Sequence, residues 1–198
     1  MAGGIMQFCV FDTETTGLPT PVETPDGIKL VYPRLVQLAW VILDQNLEEI
    51  AHASFIIQPD QWTIPDDVVK IHGITTSDAF LLGEPIHDVL AAFATAIADC
   101  THIIAHNIAF DTGVLNGEYE RYEIPNAILG KQQCCTMETG RGIMKIPGSD
   151  GYRRPNLARL AKHYFPNSDF IIAHDALADA QKVVRIFIRM VNTGDFTP

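Results

Sequence analysis

Two acidic side chains, Asp12 and Glu14, follow a mostly apolar stretch, Ile5–Phe11, and precede a turn at Gly17. A continuous apolar run of this length predicts a strand buried on both faces. Because positions i and i+2 of a strand share a face, both carboxylates are expected to point the same way. Neighbouring like charges repel unless a cation lies between them. The pair is therefore either two solvated acids at a strand end or part of a divalent-metal site.

Two further acids occupy unusual places on predicted helices. Asp111 falls on the apolar face of a helix over 108–122, where a carboxylate is costly unless it is hydrogen-bonded or bound to a metal. Asp179 lies at the edge of the apolar stripe of a last helix, from about 175 to 191, next to small residues that leave room beside it. His174 precedes Asp179 by five positions and can face the same pocket if it lies on the loop entering that helix.

Four acids with a nearby histidine match the requirements of metal-assisted phosphoryl transfer. Two divalent cations can clamp the attacking and leaving oxygens of a phosphodiester, and such hard cations prefer oxygen ligands. A general base must then take a proton from the attacking water, and histidine titrates in the right range. For His174 taken alone, an ordinary surface histidine remains the alternative.

The remaining pattern predicts an α/β fold, a mixed sheet flanked by helices, in one domain over residues 1–198. Four prolines make residues 18–33 a loop, with room for a small flap. Asn107 and Thr136 are expected to cap the helices that follow them. The predicted strands are a hairpin of 35–43 and 50–57, then 102–105 and 133–135; the other predicted helices cover 65–70, 75–82, 86–99, 137–144 and 156–164.

Composition sets limits on the class of protein. The chain has 198 residues, 47% of them hydrophobic, and a net charge of −10, which argues against a broad basic surface for duplex nucleic acid. It has no apolar run of membrane-spanning length and no basic signal-peptide start, so a cytoplasmic protein without membrane contact is expected. The four cysteines lack zinc-like spacing and are expected to be reduced, at least two of them in strands.

Three segments together resemble the motifs of the DEDDh, or DnaQ-like, 3′-5′ exonucleases, a family that includes the proofreading epsilon subunit of bacterial DNA polymerase III and the TREX-type enzymes. The segments are Phe11–Gly17 (FDTETTG), His106–Asp111 (HNIAFD) and His174–Asp179 (HDALAD). They stand in the family's order and span nearly the whole chain. The histidine five positions before the last aspartate is typical of this subgroup.

The resemblance implies an RNase H-like fold, with a five-stranded sheet that has one antiparallel strand and helices on both faces. It implies two Mg²⁺ or Mn²⁺ ions held by Asp12, Glu14, Asp111 and Asp179, with Asp111 binding through water and His174 as the general base. It also places substrate-binding residues within the motifs and beside them. These are Thr13, Thr15, Thr16, Leu18 as a wedge between the last bases, His72, His106, Asn107 and Phe110.

The sequence thus predicts a metal-dependent 3′-5′ exonuclease that acts on single-stranded or frayed 3′ ends and releases nucleoside 5′-monophosphates. DNA is favoured over RNA as the substrate. Association with a DNA polymerase in proofreading or repair, or work as a stand-alone enzyme, both stay open. The alternatives are an exoribonuclease of the same fold, RNase T-like or oligoribonuclease-like, and a non-catalytic nucleic-acid or protein-binding module.

Overall fold

The computed structural model describes residues 6–168 and 174–197, in which five strands are followed by three helices and then by a mixture of strands and helices. The predicted strand start at Ile5 lies outside the described residues. The strands are β1 (Phe8–Thr15), β2 (Thr20–Thr24), β3 (Gly27–Val31), β4 (Leu35–Leu43), β5 (Glu49–Ile56), β6 (His102–Ala105), β7 (Gln132–Cys135), β8 (Pro147–Gly148) and β9 (Gly151–Tyr152). The helices are α1 (Asp66–His72), α2 (Thr76–Leu82), α3 (Ile86–Ala96), α4 (Ile108–Arg121), α5 (Thr136–Met144), α6 (Leu157–Tyr164) and α7 (Ala176–Thr193).

The main sheet has five strands in the order β5-β4-β1-β6-β7, so β1 lies at its centre. β4 runs antiparallel to both of its neighbours, β1 and β5, whereas β6 pairs in parallel with β1 and β7. The sheet thus contains one antiparallel strand, as the resemblance implied. This arrangement confirms the predicted mixed sheet and brings the end of β1 to a position where helices on both faces can reach it.

The side chains of β1 alternate between two apolar layers. Cys9 and Phe11 belong to a large core that includes residues of α3 and α4, whereas Phe8 and Val10 pack against α7 on the other face. Three of the four cysteines lie in strands, and all four are free thiols. The central strand is therefore buried on both faces, which explains its unbroken apolar sequence.

Two predicted helix caps are wrong. Asn107 precedes α4 but has a left-handed backbone (φ 78°), and its side chain forms no capping hydrogen bond because a cap requires an extended backbone at that position. Thr136 is the first residue of α5 rather than its cap, and its hydroxyl bonds to His106 Nδ1 at 3.1 Å. The backbone conformation thus prevents capping by Asn107, whereas Thr136 uses its hydroxyl in a tertiary contact.

The proline-rich segment, predicted as a loop with room for a flap, forms a two-stranded hairpin of β2 and β3. It packs on α4 through Tyr32, whose ring lies so close to Gly113 that a Cβ there would stand 2.1 Å from it. Lys29 Nζ also pairs with Glu120 at 3.0 Å. A cavity of about 650 Å³ lies between the hairpin and α4. The missing side chain at Gly113 therefore lets the hairpin sit directly on the helix.

A buried carboxylate, Glu118, connects α4 to the start of β4. Its exposed fraction is 1%, and Oε1 accepts from Arg34 Nε at 3.1 Å and from the backbone N–H of Leu35 at 2.9 Å. Arg121 Nη1 lies 3.1 Å from the same oxygen. Glu118 thus fixes the point where the chain leaves the hairpin and enters the sheet.

None of the helices in the described part of the chain is both long and apolar enough to cross a membrane. The expected cytoplasmic location stays a prediction.

We expect Glu118→Ala to lower the free energy of unfolding by about 3 kcal/mol, because it leaves a partly buried arginine and a backbone N–H without their acceptor. Urea denaturation followed by circular dichroism would measure the change. Glu120→Ala is the control, since its pair with Lys29 is solvent-exposed and should contribute little. Equal effects of the two substitutions would contradict a structural role for Glu118.

Candidate metal-binding site

Three carboxylates from two elements converge beside the end of β1. Asp12 and Glu14 project from the same face of β1, and Asp179 lies in the first turn of α7, which packs over that face. One oxygen of each carboxylate lies within 4.8 Å of the other two, and all three residues are partly exposed. Three hard oxygen donors at this separation can share one divalent cation.

Asp111 approaches the same site from the opposite face of the sheet. It belongs to α4, its exposed fraction is 3%, and Thr13 Oγ1 donates to its Oδ1 at 2.8 Å. The structure does not bring Asp111 into the three-carboxylate group, but its charge still raises the pKa of Asp12. The fourth acid therefore lies next to the group and is oriented by Thr13.

Mutual repulsion and burial disturb the protonation of these acids. Burial is the largest cause that raises the pKa of Asp12 well above its usual value, and the charges of Asp111, Glu14 and Asp179 add to it. Burial, followed by the charge of Asp179, raises the pKa of Glu14 to about 7. Burial likewise raises the pKa of Asp111 to about 7, although the Thr13 hydrogen bond opposes the shift. The cluster holds more negative charge than its surroundings offset, which is what a cation would correct.

A lysine that the sequence analysis did not single out lies inside this cluster. Lys182 Nζ stands 2.5 Å from Asp179 Oδ1, and the side chains of both residues are largely buried. Its charge lowers the pKa of Asp12, against the other influences. The i, i+3 spacing between Asp179 and Lys182 on one helix was the signal that could have predicted the pair.

His174 lies directly before α7, whose N-cap is Asp175, so it stands on the entering segment as the sequence predicted. Its side chain is exposed and its backbone is left-handed (φ 42°), a conformation uncommon outside glycine. His174 is near enough to His72 for its charge to lower the pKa of that residue, although burial is the larger cause. The histidine thus lies on the side of the site that also holds the end of β1.

Gln37, also missed by the sequence analysis, holds the start of α7 in place. It lies on β4 opposite Glu14, and its exposed fraction is 5%. Its Nε2 donates to Asp175 Oδ2 at 3.0 Å, and its Oε1 accepts from the backbone N–H of Ala176 at 3.1 Å. A single glutamine within a wholly buried apolar strand was the available signal, because a buried amide requires partners.

The threonines of the first motif use their hydroxyls within the protein. Thr15 Oγ1 donates to the carbonyl of Gly17 at 2.8 Å, and Thr16 Oγ1 accepts from the backbone N–H of Arg34 at 3.0 Å. These bonds shape the turn after β1. Leu18 follows this turn with an exposed fraction of 80%, so an apolar side chain stands in solvent beside the carboxylates.

Three other predicted substrate-binding residues, His106, Asn107 and Phe110, belong to the second motif, and His106 is close enough to Asp179 to feel its charge. His106 is held between Thr136 and the carbonyl of Pro155, 3.1 Å from Nε2, and burial lowers its pKa to about 4. Phe110 is partly buried and packs against the core that contains α4. Asn107 sits between them in its left-handed conformation. Contact of these residues with substrate stays a prediction.

Comparison with known proteins agrees with this geometry. The family model described as RNase_T, Exonuclease, matches residues 9–187. DNA polymerase III subunit epsilon of Treponema pallidum is 31% identical over 188 residues, covering 93% of this chain and 76% of that protein. DNA polymerase III PolC-type of Halalkalibacterium halodurans is 30% identical over 189 residues, covering 93% of this chain.

Among solved structures, E. coli exonuclease I in complex with a dT13 oligonucleotide has a similar fold, with a TM-score of 0.73 at 21% identity over 95% of this chain. The chain spans 41% of that exonuclease and 11% of the PolC-type polymerase. The matched family model covers all three sequence motifs. The resemblance drawn from the sequence is therefore confirmed: the chain belongs to the DnaQ-like exonucleases described by the RNase_T family model.

Proposed function

We propose that this chain is a metal-dependent 3′-5′ exonuclease that hydrolyses the terminal phosphodiester of single-stranded or frayed DNA. The observation that carries the proposal is the convergence of Asp12, Glu14 and Asp179 within 4.8 Å of one another. The family assignment gives the reaction class, and the epsilon subunit among the relatives favours DNA over RNA. Nucleoside 5′-monophosphates would be the products.

The donor set fits divalent cations such as Mg²⁺ or Mn²⁺. Asp12, Glu14 and Asp179 would hold the first ion, Asp12 together with the substrate phosphate would hold the second, and Asp111 would act through a water. When bound, such ions supply an acidified water and stabilise the negative charge that develops on the phosphate and the leaving 3′ oxygen. The pKa values of Asp12 and Glu14 are raised mainly by burial, and the charges of the neighbouring acids add to the shift; a cation would offset that added charge.

His174 would take the proton from the attacking water. It lies on the segment entering α7, outside the helical turn that carries Asp179, so it can turn toward the substrate without disturbing the carboxylates. Gln37 would fix the start of that helix and with it the distance over which the histidine moves. A base so placed typically accelerates a reaction by about 10²–10⁴.

Leu18 and His72 would hold the terminal nucleotide. Leu18 projects into solvent beside the carboxylates, where an apolar side chain gains most by covering a base. His72 lies beside His174 and the backbone of Thr15. Stacking and backbone contacts of this kind accept any base, so specificity would be for a 3′ end rather than for a sequence.

The names of the relatives also suggest a partner. Both are DNA polymerase proteins, so association with a polymerase in proofreading is part of the proposal. Co-purification of the tagged chain with a polymerase from the same cells would test this association. Repeating the experiment with Asp12→Asn, which should release DNA more slowly, would separate association from catalysis.

The decisive experiment is a nuclease assay on single- and double-stranded DNA and RNA with Mg²⁺ or with EDTA. We expect Mg²⁺-dependent loss of nucleotides from the 3′ end of single-stranded DNA, and loss of that activity in Asp12→Asn because a ligand charge is removed. Asp99→Asn, an exposed acid outside the site, is the matched control. Full turnover after exhaustive chelation would contradict the proposal, and faster digestion of RNA than of DNA would favour the exoribonuclease alternative.

The metal-free protein should lose stability as the pH rises from about 4 to 7. Carboxyl groups titrate near pH 4 in an unfolded chain, whereas Glu14 and Asp111 titrate near 7 when folded, so within this window the folded state binds more protons. The free energy of unfolding is therefore highest at low pH and falls as the pH rises through the folded-state pKa values. Thermal denaturation in EDTA between pH 5 and 8 would measure the decline.

His106 acts in the opposite direction in the same pH range, because its lowered pKa makes the unfolded state bind the extra proton. The informative comparison is therefore between the wild type and Asp12→Asn, which contain the same histidine. We expect a shallower decline in the variant, and restored stability of the wild type at pH 8 on addition of Mg²⁺. Identical pH profiles of the two proteins would argue against repulsion within the cluster.

His174→Ala should lower the turnover rate by roughly 10²–10⁴ at saturating Mg²⁺ while metal affinity stays nearly unchanged. Titration calorimetry measures the metal affinity, and His163→Ala, an exposed histidine on α6, is the control. A variant that lost metal binding would identify His174 as a ligand instead.

A further inference from the structure

One short segment of this acidic chain carries an excess of positive charge. Residues 141–154, which we call the basic arm, contain four basic residues and one acid, Asp150, although the net charge of the whole chain is −10. The basic residues are all solvent-exposed or partly exposed. They are Arg141, Lys145, Arg153 and Arg154. The charge of the basic arm is therefore opposite in sign to that of the neighbouring carboxylate cluster.

The arm has a defined shape. β8 and β9 form a small hairpin, closed at its base by the bond from the Arg153 N–H to the carbonyl of Ile146, 2.8 Å long. A shallow pocket with a volume of about 360 Å³ is lined by Arg141 and by the hairpin residues from Gly148 to Arg154. Tyr152, which is 53% exposed, belongs to this pocket. Cationic side chains and an exposed aromatic ring therefore border one shallow pocket.

Part of the charge on the arm is uncompensated. Arg141 and Arg154 both pair with Glu138, so that one carboxylate serves two guanidinium groups. Among the ion pairs within residues 6–168 and 174–197, none involves Lys145 or Arg153. The arm can therefore bind an anion without first breaking a strong internal pair.

The arm is attached directly to the candidate metal site. It ends at Pro155, which is buried and whose carbonyl accepts a hydrogen bond from His106 Nε2. The charge of Asp179 acts on the same histidine. Gly140, just before the arm, allows close packing, because a Cβ there would stand 3.1 Å from the Pro155 ring. Both ends of the arm thus meet at Pro155, which contacts His106, and that histidine feels the charge of Asp179.

We infer that the basic arm binds the sugar-phosphate backbone of single-stranded DNA on the 5′ side of the nucleotide being removed, with Tyr152 stacking on a base. The inference deepens the proposed function and rests on it for the direction of the strand. A 3′-terminal nucleotide at the carboxylates leaves the rest of the strand to run across an adjacent surface. Phosphates favour cationic side chains, and bases stack on aromatic rings without regard to sequence.

The test measures the affinity for a 5′-labelled single-stranded DNA by fluorescence anisotropy, in EDTA and at several salt concentrations. A length of about twelve nucleotides lies within the range of single-strand binding sites. Arg153→Gln should weaken binding roughly three- to tenfold. In the double variant Arg153→Gln, Lys145→Gln, the slope of log K against log salt concentration should be smaller in magnitude by about 1.4, which is 0.7 for each lost phosphate contact. Tyr152→Ala should weaken binding without altering the salt slope.

Arg189→Gln is the matched control, because it removes the same charge from an exposed position on α7, ten residues or about 15 Å along the helix from Asp179. We expect it to bind DNA as the wild type does. If Arg153→Gln and Arg189→Gln bind equally well, the inference is overturned. A loss confined to RNA of the same length would also overturn it.

Hydrolysis separates this inference from the proposed function. Arg153→Gln should lose more kcat/KM on the long oligonucleotide than on a dinucleotide, which has almost no backbone beyond the scissile bond. Equal losses on both would contradict binding on the 5′ side. If the wild type hydrolysed neither substrate, the proposed function would fail, whereas the binding measurement in EDTA would still decide whether the arm holds DNA.

Discussion

Repulsion among clustered carboxylates is the constraint around which this structure is arranged. Asp12, Glu14 and Asp179 stand within 4.8 Å of one another, with Asp111 close behind. Such a group destabilises the fold unless protons, lysine or metal ions offset its charge. The apolar packing on both faces of β1 supplies the rigidity that keeps the acids together. Lys182 offsets part of the charge, whereas burial and the charges of the other acids raise the pKa of Asp12 and of Glu14.

Position at the centre of the sheet explains how acids from distant parts of the sequence meet. β1 is flanked by β4 and β6, so its end can be reached by α7 from one face and by α4 from the other. Asp179 arrives on the first face, and Asp111 on the second, where Thr13 orients it. Because side chains alternate along β1, Asp12 and Glu14 face α7, whereas Thr13 between them faces α4. Three consecutive positions of one strand thereby serve both halves of the site.

The sequence predicted the sheet and most helix positions, because these depend on local periodicity. Motif spacing also singled out Asp12, Glu14 and Asp179, which the structure brings together. The sequence did not predict Gln37, whose partners Asp175 and Ala176 lie 138 and 139 positions away. It also gave Asn107 and Thr136 capping roles that neither performs, since a left-handed backbone and a bond to His106 intervene. The hairpin of β2 and β3 escaped detection because prolines suggested a loop, whereas Tyr32 packing on Gly113 stabilises the strands. Tertiary contacts decided the cases of Gln37, Thr136 and the hairpin, whereas backbone conformation decided that of Asn107.

Charge separation reconciles an acidic protein with a polyanionic substrate. A net charge of −10 weakens non-specific attraction to nucleic acid. An enzyme that acts at strand ends would then dissociate readily from internal positions of a strand. Under the proposed function, binding would come from local features: cations at the carboxylates would hold the scissile phosphate, and exposed arginine and lysine would hold phosphates farther along. The carbonyl of Pro155 on His106 places these two features side by side. A strand would therefore be held firmly only where its 3′ end reaches the carboxylates, so the charge distribution itself favours recognition of an end.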